Sequence, residues 1–119
     1  MHTGFVVFGH GSSVESANDA VRRVAAAAAN TAGWKHWETA FLEVAPLLGE
    51  AVEKLVAAGV REVVVLPYFL TLGIHLRRDL PAIATELAAR HGICIRITPP
   101  LDGHPALSQI LVERAEATA

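Results

Sequence analysis

Residues 63–66, Val-Val-Val-Leu, are apolar at successive positions rather than at alternate ones. A strand with one wet face shows a period of two. A run that is apolar on both faces must be covered on both, which is the condition of an inner strand in a parallel sheet with helices above and below. Valine is stiff at χ1 and fits a pleated surface better than a helix. Pro67 has no N–H to give to a ladder and sets the end of the strand near residues 66–68.

The rest of the chain repeats the same alternation. Residues 4–9, GFVVFG, form a short apolar run closed by glycine. Ser12, Ser13 and Glu15 then offer N-cap chemistry to a helix with Val14, Ala17, Val21, Val24, Ala25 and Ala28 at helical spacing, stopped by Gly33. Residues 37–43, WETAFLE, read as the second strand. Pro46 starts a second helix whose Leu47, Leu48, Ala51, Val52, Leu55 and Val56 share a face, ended by Gly59. After the third strand the spacing predicts a non-helical loop, then a third helix opened by Asp79 and Pro81 and closed by His91-Gly92. Residues 93–98, ICIRIT, are the fourth strand, with Cys94 as a small core hydrophobe. PPLDG is a loop, and Pro105 begins a last helix containing Leu107, Ile110 and Leu111.

Four β-α units predict an α/β fold: one domain over residues 1–119, a four-stranded parallel sheet flanked by helices on both faces. With 119 residues, 52% of them hydrophobic and 18% charged, the chain can bury one core and does not read as disordered. A formal charge of −2 gives no footprint for nucleic acid. No apolar run reaches the roughly 18 residues of a membrane span, and Met1 leads into a strand rather than a signal peptide, so neither nucleic acid nor membrane is an expected partner and the expected location is the cytoplasm. A single cysteine leaves no internal disulfide and no cysteine-cluster metal site.

In open α/β sheets ligands bind beyond the C-terminal ends of the strands. His10 follows the first strand, Glu43 ends the second, His75 follows the third and PPLDGH follows the fourth, so these residues fall at one edge. His36 and His91 belong to the opposite edge, and His2 is terminal and exposed. Imidazole accepts a proton near neutral pH and binds borderline divalent metals, and a carboxylate can do either. No HExxH, Walker A, GxGxxG or GxSxG pattern is present, and Gly9 stands where an RHG phosphatase would carry arginine.

FVVFGHGSS, the long stretch from AFLEVAP to PYFLTLGIHLRRDLP, and PPLDGHPAL occur in an order that resembles the CbiX/SirB group of class II chelatases, in its small single-repeat form. The resemblance covers nearly the whole chain. It implies insertion of a divalent metal into sirohydrochlorin, in cobalamin or siroheme-type biosynthesis, with Co2+ as the expected metal and Ni2+ or Fe2+ as alternatives. The metal is then a substrate and no cofactor is permanently bound. By the same resemblance His10 and His75 carry metal insertion, and the glutamate of F-L-E is Glu43. Ser13 stands where relatives often have arginine.

Chemistry adds roles for the remaining residues. His10 and His75 can ligate the incoming metal and accept pyrrole protons, with Glu43 as ligand or relay. Arg77, Arg78 and the helix start at Ser12 and Ser13 can hold the macrocycle's carboxylates. One small lobe offers a single wall to a large flat ligand, which predicts a homodimer. The alternative is a metal or tetrapyrrole carrier that uses the same histidines without turnover.

Overall fold

The computed structural model describes residues 2–118. Among them four strands, β1 (Thr3–Gly9), β2 (His36–Phe41), β3 (Glu62–Pro67) and β4 (Cys94–Ile97), alternate with four helices, α1 (Glu15–Ala32), α2 (Leu48–Ala57), α3 (Ile74–His91) and α4 (Ala106–Thr118). Every strand pairing is parallel, in the order β2-β1-β3-β4. No helix among the described residues is long and apolar enough to cross a membrane.

The inner position of β3 is what its apolar run demands. Val63 and Val65 are fully buried on one face and Val64 nearly so on the other. On the first face Val6, Phe8, Val63 and Val65 pack with Leu48, Val52 and Leu55 of α2 and Leu80 and Leu87 of α3. Each large side chain buried here is worth about 1.5–3 kcal/mol of transfer free energy. On the second face α1 lays Ala25 and Ala29 over β1 and β2. Gly33 and Gly92 end α1 and α3 in the left-handed conformation, each donating its N–H to the preceding turn, as their sequence positions predict.

The strand order positions the site. From β1 the chain moves outward to β2, returns across β1 to β3, and continues to β4. The direction reverses between β1 and β3, and a crevice opens at such a switch point beyond the strand ends. His10 directly follows β1, and the segment leading to His75 follows β3.

Four expectations need correction. The helix after β3 opens at Ile74 rather than at Asp79–Pro81, so His75, Arg77 and Arg78 lie in its first turns and Pro81 lies inside it. Proline is tolerated there because only the Arg77 carbonyl loses its donor. Glu43 is not in β2, which ends at Phe41, but in the bend beyond it. Neither serine caps α1: its N-cap is Val14, and Ser12 Oγ accepts from the Val14 N–H instead. Cys94 is exposed rather than buried, because β4 is an edge strand whose α1-side positions, Cys94 and Arg96, face outward without a covering helix.

Candidate active site

The loop after β1 is built to hold one conformation. Gly11 has φ +88°, and a Cβ there would lie 2.8 Å from Val44 Cγ2 and 3.0 Å from Phe41 Cβ, so only glycine fits. The chain after β2 is zipped onto this loop. Leu42 N–H donates to the Gly9 carbonyl at 3.0 Å and Glu43 N–H to the His10 carbonyl at 3.0 Å. Those bonds put the Glu43 carboxylate beside the His10 ring, with Nε2 and Oε1 3.5 Å apart.

His10 Nδ1 lies 3.0 Å from the Gly11 carbonyl oxygen. A carbonyl only accepts, so Nδ1 carries the proton in the neutral ring and Nε2 keeps its lone pair. Two electron-pair donors, Nε2 and the carboxylate, thus face each other. A proton or a cation between them relieves that opposition.

Asn18, a residue that sequence reasoning passed over, fixes the loop from below. It is 2% exposed in the first turns of α1. Its Oδ1 accepts from the Ser12 N–H at 2.9 Å, and its Nδ2 donates to the Ser12 carbonyl at 2.8 Å and to Glu15 at 3.1 Å. Arg22 extends the network to Glu15 and Asp19, both at 2.7 Å, and lies over the Phe41 ring. The bonds from Asn18, and then from Arg22, hold the Glu15 carboxyl below its ordinary range, and the two carboxylates push Arg22 further up.

His75 stands across a cleft of about 400 Å³ lined by His10, Leu42, Phe69, Ile74, His75 and Asp79 among others. Its floor continues into an apolar groove with Phe8, Phe41, Leu47 and Leu48, and Leu42 and Ile83 belong to both. At the rim Ile74 is 79% exposed and Leu47 46%. Arg78 donates to Asp79 at 3.1 Å and places Nη2 3.5 Å from His75 Nδ1, whereas Arg77 reaches only the Leu72 carbonyl. Ser13 is exposed beside the His10 loop.

The structure therefore brings His10 and His75 to one cleft, with Glu43 beside His10, Arg78 next to His75 and Ser12 used internally. Among the described residues no three His, Cys, Asp or Glu side chains gather closely enough to hold a metal ion. His36 lies at the opposite end of the sheet, edge-on to His2. The apolar rim was missed because Leu42 read in sequence as strand, Leu47 as helix core and Ile74 as part of a non-helical loop.

The CbiX family model matches residues 4–118. The chain belongs to the CbiX family. Over 115 residues it is 34% identical to the sirohydrochlorin cobaltochelatase of Priestia megaterium, matching 96% of this chain and 38% of that protein. It is 30% identical over 115 residues to the chloroplastic sirohydrochlorin ferrochelatase of Arabidopsis thaliana, 95% of this chain and 51% of that one. The chain thus spans between about a third and a half of these relatives' lengths. A solved structure of a cobalamin (vitamin B12) biosynthesis CbiX protein from Marinobacter aquaeolei superposes with a TM-score of 0.85 at 28% identity, covering 98% of this chain and 96% of that one. The family's α/β architecture and the sheet described above agree.

Proposed function

We propose that this chain inserts a divalent metal, Co2+ before Fe2+ or Ni2+, into sirohydrochlorin. The observation that carries the reading is the facing pair His10 Nε2 and Glu43 Oε1, 3.5 Å apart, at a switch-point cleft whose other wall holds His75. With metal–ligand bonds near 2.1 Å, a gap of this size corresponds to a ligand–metal–ligand angle of roughly 110°. Two donors in an open cleft hold an ion loosely enough to surrender it, unlike a closed structural site. The names of the Priestia and Arabidopsis relatives support the substrate, and their different metals leave Co2+ as the first choice to test.

The residues divide the work. Leu42, Phe69 and Ile74 offer an apolar surface to one face of the macrocycle. Arg77 and Arg78, exposed at the first turns of α3, meet its peripheral carboxylates. His10 and Glu43 bind the metal after it sheds some of its water. As the metal moves to the ring, two pyrrole protons must leave, and His75 and the freed His10 Nε2 accept them. The metal is a substrate, not a resident group. One lobe covers one face of so large a ligand, which supports a homodimer as the working form.

The test is direct. Protein mixed anaerobically with sirohydrochlorin and Co2+ should accelerate the visible absorbance change above the spontaneous rate, with Ni2+ and Fe2+ run beside it. Binding of either substrate without acceleration would identify a carrier instead.

A further inference from the structure

The two histidines of the cleft differ in what covers their lone pairs. His10 Nδ1 faces the Gly11 carbonyl at 3.0 Å, so Nδ1 carries the hydrogen and the lone pair on Nε2 is open. His75 Nδ1 faces Arg78 Nη2 at 3.5 Å. A guanidinium only donates, so this nitrogen accepts, and in the neutral ring the hydrogen is on Nε2. The one lone pair of His75 is therefore covered by a cation.

The start of α3 builds this contact. His75 and Arg78 are three residues apart in its first turns, a spacing that sets side chains next to each other. Asp79 Oδ1 accepts from Arg78 Nε at 3.1 Å and steadies the guanidinium beside the ring. Arg77, one residue away, reaches the Leu72 carbonyl and no histidine. At 3.5 Å the bond to His75 is long, and a better acceptor takes its place at little cost.

That acceptor has a route to Arg78. His75 and Asp79 line the cleft, whereas Arg78 stands outside the lining residues with its side chain 71% exposed. A flat ligand seated in the cleft has its centre near His75 and its peripheral carboxylates at the rim. Carboxylate and guanidinium form charge-assisted, often bidentate bonds roughly twice as strong as neutral ones, so a carboxylate there outcompetes a neutral imidazole.

We propose that Arg78 is a positioning residue that keeps His75 closed in the empty cleft, and that a carboxylate of the seated ligand opens it by drawing the guanidinium off Nδ1. The proposal rests on the chelatase reading and adds an order of events to it. In the empty cleft an incoming metal meets His10 and Glu43 but no free lone pair on His75. With the macrocycle seated, His75 is open. A pyrrole N–H then gives its proton to the freed nitrogen, and the pyrrole nitrogen keeps the electron pair that binds the metal.

The test reads the His75 ring by nitrogen NMR of histidine-labelled protein, at pH about 8, above the ordinary imidazole range. In Arg78→Ala the His75 Nδ1 signal should move downfield, toward that of an acceptor nitrogen with no donor. Arg77→Ala removes the same charge and should leave the signal at its parental position. Mellitate, a planar benzene polycarboxylate, should move the parental signal downfield as Arg78→Ala does, and should leave the Arg78→Ala signal where it is. Three results would each overturn the proposal: an unmoved signal in Arg78→Ala, an equal move in Arg77→Ala, or a parental signal that mellitate leaves in place. Neither metal nor sirohydrochlorin enters this experiment, so its failure and that of the chelatase reading are separate.

Discussion

The two histidines of the cleft stand on unequal ground. His10 sits in a loop fixed by Gly11 at φ +88°, by Asn18 beneath, and by the Leu42 and Glu43 N–H groups alongside. His75 sits one residue into α3, which has no side-chain cap, after Gly73 in open space and the highly exposed Ile74. One histidine is held in place by the fold itself, and the other is on a helix start with few constraints. Preorganisation lowers the ordering cost of binding, so under the proposed function the fixed half would suit the small ion and the freer half a large macrocycle that must enter and leave.

The largest expected effect tests that division. His10→Ala and His75→Ala should each lower insertion turnover by about 10²-fold or more, the scale of losing a positioned acid–base group. They should differ in Co2+ binding without macrocycle: calorimetry should show binding lost in His10→Ala and retained in His75→Ala. Equal loss in both would make the cleft a symmetric two-histidine site and end the comparison. His36→Ala, at the far end of the sheet, should leave turnover and Co2+ binding at parental values.

The same inequality decided what the sequence could reveal. The β-α alternation was legible because inner strands β1 and β3 must be apolar on both faces, and that pattern is local. His10, Glu43 and His75 were legible because they follow successive strands, which places them at one edge whatever the side-chain detail. The start of α3 was not, since Asp79–Pro81 carries stronger local start signals than Gly73–Ile74, and only packing of Leu76 and Leu80 on the core favours the earlier turn. Cys94 was misjudged because the edge position of β4 depends on strand order, which no window of residues contains. Asn18 reads as an ordinary helix-surface residue until the β1 loop folds back over it.

Asn18→Ala sharpens the comparison from the fixed side. It removes hydrogen bonds to the Ser12 N–H and carbonyl at a site 2% exposed, and leaving such groups unpaired costs about 1–3 kcal/mol. Thermal melting should show that loss. If the bonds serve His10 as well as the fold, Co2+ affinity should also fall, while the KM for sirohydrochlorin stays near that of the parent. A lower melting temperature with unchanged Co2+ affinity would make Asn18 a purely structural residue.

The smallest effect concerns acid. Glu15 donates no proton to the network but accepts from Asn18 and then Arg22, and these bonds hold its carboxyl below the ordinary range. A carboxyl depressed in the folded state contributes stability that is present above its unfolded value and lost as pH falls through the folded one. The parent should therefore lose melting temperature across and below the carboxylate range more steeply than Glu15→Gln. The difference is small because Glu15 is exposed and salt screens the pair, so it should shrink further at high ionic strength. No equivalent network surrounds His75 among the described residues, and Asp79→Asn, on that side, should leave the acid slope parental. Parallel slopes for parent and Glu15→Gln would show that the fixed half of the cleft owes nothing to this carboxylate, and its order would then rest on Gly11, Asn18 and the Leu42 and Glu43 N–H groups.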